Sequence, residues 1–340
     1  MPTETFFAAM PKVELHVHLE GSIRPETVLK LARKNNASLS SDTVEGLRDW
    51  YQFRDFPHFV EVYVAVSKCI QTPDDLELVV REFLEGQKAQ NILHSEITYT
   101  ASTIEKYAGI PWADQKGALQ RGLAYGRDEL GLSAGFILDI VRGDSAERGM
   151  EVLRWVEDGL GDGVIALGLA GEERLGTALY ADVFAAAKER AVPVTVHAGE
   201  TVGPESIRET LDLTHANRIG HGVRVVEDGR LLAELRDRQV HLEVCPGSNI
   251  CLGVYPSLAE HPFARLLDEG ISISLNSDDP PMFSTSLTEE WVRAAAAFDL
   301  NEDIAWSLTL NAANAAFLDS DSRRKLIGDL RAGFSGLTSE

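Results

Sequence analysis

Two histidines stand two residues apart in the segment VELHVHLEG, at His16 and His18. Side chains at i and i+2 of a β-strand leave by the same face, so on a strand both imidazoles point at one place. Other polar residues close further Val/Ile/Leu-rich runs: His197 in VTVHAGE, His221 in RIGHG, and the pair Asp278 and Asp279 in SLNSDDPP. Three imidazoles and a carboxylate, with one position left for water, suit zinc or a similar divalent ion. The structural alternative is a buried network in which histidines and carboxylates satisfy one another. Glu200, three residues beyond His197, is a proton shuttle if burial lifts its pKa, or else an acid at the start of the helix pattern that follows. Gly171, in LGLAGEE, reads as a loop glycine or as a point where backbone approaches a flat ligand. His58, His94, His215, His241 and His261 lack partners in their local patterns and read as structural. Cys245, in LEVCPGSN, reads as a buried thiol.

Such groups need a scaffold that delivers them to one point. Short apolar runs recur at 13–19, 93–99, 135–140, 164–169, 193–197, 217–221, 240–244 and 271–276. Amphipathic stretches of helix length lie between most of them, at 112–130, 145–160, 177–190, 204–214, 228–238 and 258–269. Eight strands alternating with helices predict an α/β fold, a single (β/α)8 TIM-type barrel, whose strand ends carry active-site groups. One domain over 1–340 is expected, because no linker, repeat or low-complexity segment breaks the chain. More than 70 residues separate the first two strands, and they include Trp50, Tyr51, Phe53, Phe56, Phe59 and Tyr63. This stretch, about 24–90, is predicted to be a helical insertion at the barrel mouth, packed on the rim and serving as a lid.

Composition narrows the partners. With 32 basic and 53 acidic side chains the net charge is −21, which argues against nucleic acid and anionic membrane. Three cysteines without a C-x-x-C pair make neither a disulfide framework nor a thiolate zinc cluster. The N-terminal MPTETFFAAM lacks the pattern of a secretory leader, and no apolar run reaches 18 residues. The expectation is a soluble, cytoplasmic protein acting on a small molecule, of oligomeric state that the sequence does not specify.

Taken in order, MPKVELHVHLEGS, LAGEE, VTVHAGE, RIGHG, CPGSN and SLNSDDP resemble the adenosine/adenine deaminase family of metal-dependent hydrolases, over about residues 10 to 320. The resemblance implies a zinc-bearing (β/α)8 barrel that replaces the 6-amino group of an aminopurine with oxygen. It implies one Zn2+ per chain, held by His16, His18, His197 and Asp278. Glu200 becomes the acid that protonates purine N1, and His221 orients or deprotonates the attacking water. Asp279 becomes the partner of N7 and the Gly171 N–H the partner of N3. Glu20, two residues past His18, stands where many adenosine deaminases have an Asp that meets the ribose. On a continuing strand Glu20 would line the pocket.

The motifs divide on substrate. Glu at position 20 is common in adenine deaminases, whereas Gly220 stands where adenine deaminases often have Asp. SLAEHPFARL and DDPPMFSTSLTEE resemble nucleoside-type members, including aminodeoxyfutalosine deaminases. The expected reaction is therefore deamination of adenosine or deoxyadenosine to the inosine product, with adenine and aminodeoxyfutalosine as the alternatives. Outside this class, phosphoesterase barrels also open with H-x-H, but they use two or three metals and basic side chains, and no Arg/Lys cluster marks these strand ends. A purine-binding module without catalysis would have no use for every ligand and Glu200 together.

Overall fold

The computed structural model describes residues 2–337. Eight strands form one parallel sheet in sequence order: β1 Lys12–His18, β2 Ile92–Tyr99, β3 Ser133–Arg142, β4 Val164–Gly171, β5 Val194–Ala198, β6 Arg218–His221, β7 His241–Val244 and β8 Ile273–Leu275. Each falls on an apolar run seen in the sequence, so the (β/α)8 barrel is as expected. Closure between the last strand and the first is made differently from the other seams. β8 has only three residues, too few for a full ladder. Instead Asn276 turns its Oδ1 to accept from the backbone N–H groups of Leu15 (2.9 Å) and His16 (3.2 Å). Beyond it, the Asp278 backbone accepts from His18 and donates to His16. The two aspartates thus lie past the end of β8 rather than on it.

The expected helices appear, several of them shorter, as Trp112–Glu129, Ala146–Gly159, Ala181–Glu189, Pro204–Thr214, Gly229–Arg238 and Phe263–Asp268. Three more, Leu287–Phe298, Glu302–Ala315 and Ser320–Leu337, complete the ring after β8. The stretch between β1 and β2 holds a 3-10 turn, Glu20–Ser22, and helices Pro25–Asn35, Val44–Trp50, Phe56–Ser67 and Pro73–Ala89. The last of these starts on a capping box, Thr72 with Asp75, and has Pro73 in its first turn. Its buried Leu76, Val79, Val80, Phe83 and Leu84 make one apolar stripe. That stripe packs on β2 and on helix Trp112–Glu129, the place of an ordinary ring helix. The additional material is therefore the segment up to Ser67.

Below the mouth the barrel lumen is polar and built on ion pairs. Arg218 sits between Glu96 (2.6 Å) and Glu243 (2.6 Å), all three about 1% exposed or less. His94 meets Glu96 and Ser133, and His241 meets Ser272 and Ser274. These two histidines are structural, as the sequence suggested.

Candidate metal centre and active site

β1 ends by placing His16 and His18 on one face, their ring centroids 5.4 Å apart. β5 supplies His197, 4.5 Å from the His16 ring, and β6 supplies His221, 4.8 Å from it. Asp278 approaches from the turn after β8: its Oδ1 is 3.4 Å from His16 Nε2 and 3.3 Å from His18 Nε2, and its Oδ2 is 3.9 Å from His221 Nε2. Nε2 of His18 and of His197 are 3.2 Å apart. Five donors gathered from four strand ends explain why so short a β8 must be fastened to β1.

The outward nitrogens are engaged. His16 Nδ1 faces Glu243 Oε2 at 2.8 Å, and His197 Nδ1 faces the Leu169 carbonyl at 3.1 Å. A ring that donates through Nδ1 presents the Nε2 lone pair, the arrangement that metal-ligating histidines share. Nε2 of His16 is buried and has no hydrogen-bond partner. Donor atoms of His16, His197, His221 and Asp278 lie within 4.8 Å of one another, and His18 forms an overlapping set with Asp278 and Asp279. These residues fit a divalent cation. His221 stands as near the centre as the four ligands inferred from sequence.

Charge follows burial and neighbours. Burial disfavours the Asp278 anion, but His16 beside it and the other surrounding imidazoles hold its carboxyl well below the usual range. Burial likewise opposes a charged His16, yet Asp278 and Glu243 lift it to about 10, so a cation binding at Nε2 would displace a proton there. Burial pushes His18 down to about 4, His221 to about 3, and His197 well below its ordinary value. Glu200 and Asp279 go the other way. Burial first, and the Asp278 charge second, raise both carboxyls well above the ordinary range. Two neutral acids therefore stand beside one anion, and only neutral acids can donate protons.

Glu200 does not continue a strand. It leaves β5 on a loop that Glu173 gathers: the Glu173 carboxylate accepts from the N–H groups of Gly199, Glu200, Thr201 and Val202 and from the Ser206 hydroxyl. Asn249 donates through Nδ2 to Glu200 Oε1 (3.2 Å) and stands 3.3 Å from His221 Nδ1, while its Oδ1 meets His261 Nε2 at 3.1 Å. Glu173, Asn249 and Glu243 were not singled out in the sequence, although all three lie inside the quoted LAGEE and LEVCPGSN. His261 acts behind Asn249, in keeping with a structural reading. Cys245 is buried and burial raises its thiol well above the ordinary range, as expected of an inert sulfur.

A cavity of about 120 Å3 opens over this cluster, lined by His18, Gly171, His197, Glu200, His221, Asp278 and Asp279 on the side of the donor atoms. Phe56, Phe59, Val60, Tyr63 and Val64 of helix Phe56–Ser67 form its opposite lip. Gly171 ends β4 at φ +95°, and a Cβ there would press to 3.3 Å on the Arg142 backbone. Gly220 lies even closer to the chemistry: a Cβ would fall 2.9 Å from His16 Cε1. Glu20 corrects an expectation. β1 stops at His18, and Glu20 enters a 3-10 turn instead of extending the strand. Its buried carboxylate accepts from the Thr100 N–H and the Tyr63 hydroxyl, both at 3.0 Å. The walls of the cavity are Thr100 and Tyr63, with Glu20 behind them.

A parallel (β/α)8 barrel with histidines and a carboxylate converging at the C-terminal ends of its strands is the architecture of metal-dependent hydrolases of the amidohydrolase type. The sequence profile described as adenosine deaminase matches residues 11–332, and the chain belongs to that family. It is 38% identical over 325 residues to an adenine deaminase of Trichlorobacter lovleyi, covering 94% of this chain and 92% of that one. It is 35% identical over 332 residues to an aminodeoxyfutalosine deaminase of Streptomyces avermitilis, covering 96% and 92%. An amidohydrolase from Burkholderia ambifaria, solved with bound Zn, superposes with a TM-score of 0.91 at 25% identity over 99% of this chain and 93% of that one. The protein is thus an enzyme, a deaminase acting on C–N bonds. No helix among the described residues is long and apolar enough to cross a membrane.

Proposed function

We propose that this enzyme hydrolytically deaminates a 6-aminopurine, with one zinc ion per chain held by His16, His18, His197 and Asp278. The observation that carries the reading is the convergence of four imidazoles and Asp278 at the strand ends, with two further buried carboxyls, Glu200 and Asp279, beside them. A divalent cation bound there supplies a water acidic enough to act as nucleophile near neutral pH. The chain's own residues do the rest. C6 of an aminopurine is a poor electrophile until N1 is protonated, and Glu200 holds that proton. His221, its Nδ1 beside Asn249 and Glu200, takes the proton from the attacking water and passes it to the 6-amino group, which leaves as ammonia when the C6–N bond breaks. Asp279 donates to N7, and the Gly171 N–H meets N3. The aromatic lip of helix Phe56–Ser67 keeps bulk water from the ring, which is the lid role read from the sequence. No Lys or Arg lines this cavity among the described residues, which disfavours phosphoester chemistry.

On substrate, the relatives' names support the alternatives more than adenosine itself. The cavity lining runs past the groups assigned to the purine ring, to Thr100, Thr103 and Asp139 on the β2–β3 side. This favours an N9-substituted 6-aminopurine, aminodeoxyfutalosine first. Free adenine is the second reading, supported by the 38% identity to an adenine deaminase. Initial rates on aminodeoxyfutalosine, adenine and adenosine, measured with zinc content on the same preparation of full-length protein, test this. The expected result is the highest kcat/KM on aminodeoxyfutalosine with one zinc per chain. A metal-loaded preparation that converts none of the three to its 6-oxopurine refutes the reading.

A further inference from the structure

The donor cluster draws on β1, β5, β6 and the turn after β8, positions centred on β7 in the sheet order. β3 lies diametrically opposite. From β3 the side chain of Asp139 enters the same cavity, 2% exposed, together with Thr100 and Thr103. Asp139 Oδ1 is buried without any hydrogen-bond partner. Buried polar atoms are rarely left so, because an unmet acceptor forfeits its water at a cost no other contact repays. No cation of the protein lines the cavity among the described residues. The nearby Glu20 carboxylate is already engaged at both oxygens.

We infer that Asp139 is a specificity-determining residue that accepts a hydrogen bond from a hydroxyl on the N9 substituent of the substrate. The inference rests on the 6-aminopurine reading, which puts the reacting carbon at the donor cluster and sends the far side of the purine toward β3. Burial, and secondarily the Glu20 charge, raise the Asp139 carboxyl to about 8. A neutral acid between two threonines suits an uncharged hydroxyl, which can also accept from a threonine, better than an ammonium group. The wall thus divides by chemistry: hydroxyls and a carboxyl on the β2–β3 side, aromatic and aliphatic carbon on the lip from helix Phe56–Ser67.

The test compares adenosine, 9-ethyladenine and adenine on the zinc-loaded wild type, Asp139→Leu and Asp139→Asn. 9-Ethyladenine keeps the N9 substituent and lacks the hydroxyls. Removing the acceptor is expected to lower kcat/KM for adenosine by about 10- to 100-fold and for 9-ethyladenine by less than about threefold. Asp139→Asn retains an accepting oxygen in nearly the same shape and is expected to recover most of the loss, which separates recognition from misfolding. An unchanged adenosine to 9-ethyladenine ratio in Asp139→Leu overturns the inference. So does a loss confined to adenine, which would make N9–H the donor. Calorimetric binding of inosine against 9-ethylhypoxanthine to the same proteins reads recognition without turnover. Wild type that binds inosine in an Asp139-dependent way yet deaminates nothing overturns the reaction and supports the inference. Wild type that prefers neither ligand overturns the inference alone.

Discussion

At the scale of single residues, the proposed site separates groups that bind charge from groups that move protons. Asp278 and Glu200 are both buried acids, but their neighbours differ. Asp278 faces three imidazoles and stays an anion, whereas Glu200 faces Asp278 and Asn249 and stays neutral. A carboxyl held neutral by its surroundings is the one suited to protonate a ring nitrogen. Glu200→Gln keeps the size and the Asn249 neighbour but removes the proton. Its kcat is expected to fall at least about 10²-fold, with KM and zinc content close to wild type. Steady-state kinetics beside metal analysis checks this, and near-normal turnover would move the proton donor to another residue.

At the scale of elements, loops after the strands carry the chemistry, and each needs its own anchor. The loop 199–202 has no regular partner for its N–H groups, and the Glu173 carboxylate supplies one for four of them in turn. Bonds to a charged acceptor are worth about 1.5–3 kcal/mol each in comparable settings, though not additively. In Glu173→Gln one accepting oxygen becomes an NH2 that faces N–H donors. The expected outcome is a loss of about tenfold or more in kcat/KM. Faster amide exchange confined to 199–202 and little change in melting temperature should accompany it. Exchange that rose across the whole barrel would instead mark Glu173 as a general stability element.

At the scale of the whole molecule, the barrel seam and the proposed metal site are one structure. β8 is short, so Asn276 closes the ring by serving two backbone N–H groups of β1. Asn276→Ala leaves them without their acceptor, at about 1–3 kcal/mol per unmet buried group. Melting several degrees lower is expected. Chelation of the metal should lower the melting temperature of the wild type too, because a cation held between β1 and the turn after β8 stabilises the folded state by mass action. Zinc added back should restore both the melting temperature and activity. A chelated protein that melted unchanged while losing activity would place the ion away from the seam.

The sequence alone determined the eight strands, the ring helices from Trp112 to Asp268 though not Pro73–Ala89, and the four histidines and Asp278 that converge at the strand ends. These are local properties: period-2 alternation sets which face His16 and His18 share, and polar residues ending apolar runs mark the barrel mouth. The tertiary structure decided what local pattern does not encode. Glu243 reaches His16 across 227 residues, and Asn276 reaches Leu15 across 261, so neither partnership leaves a trace in spacing. Glu20 looked like the next step of a strand, yet Tyr63 and Thr100 hold it in a turn. The same holds for Glu173 and Asn249, whose value lies in the loop and the imidazole they support. A strand's own periodicity fixes side chains only as far as its last paired residue. Past that point their direction is set by hydrogen bonds to residues distant in the chain, and only the closed barrel brings those together.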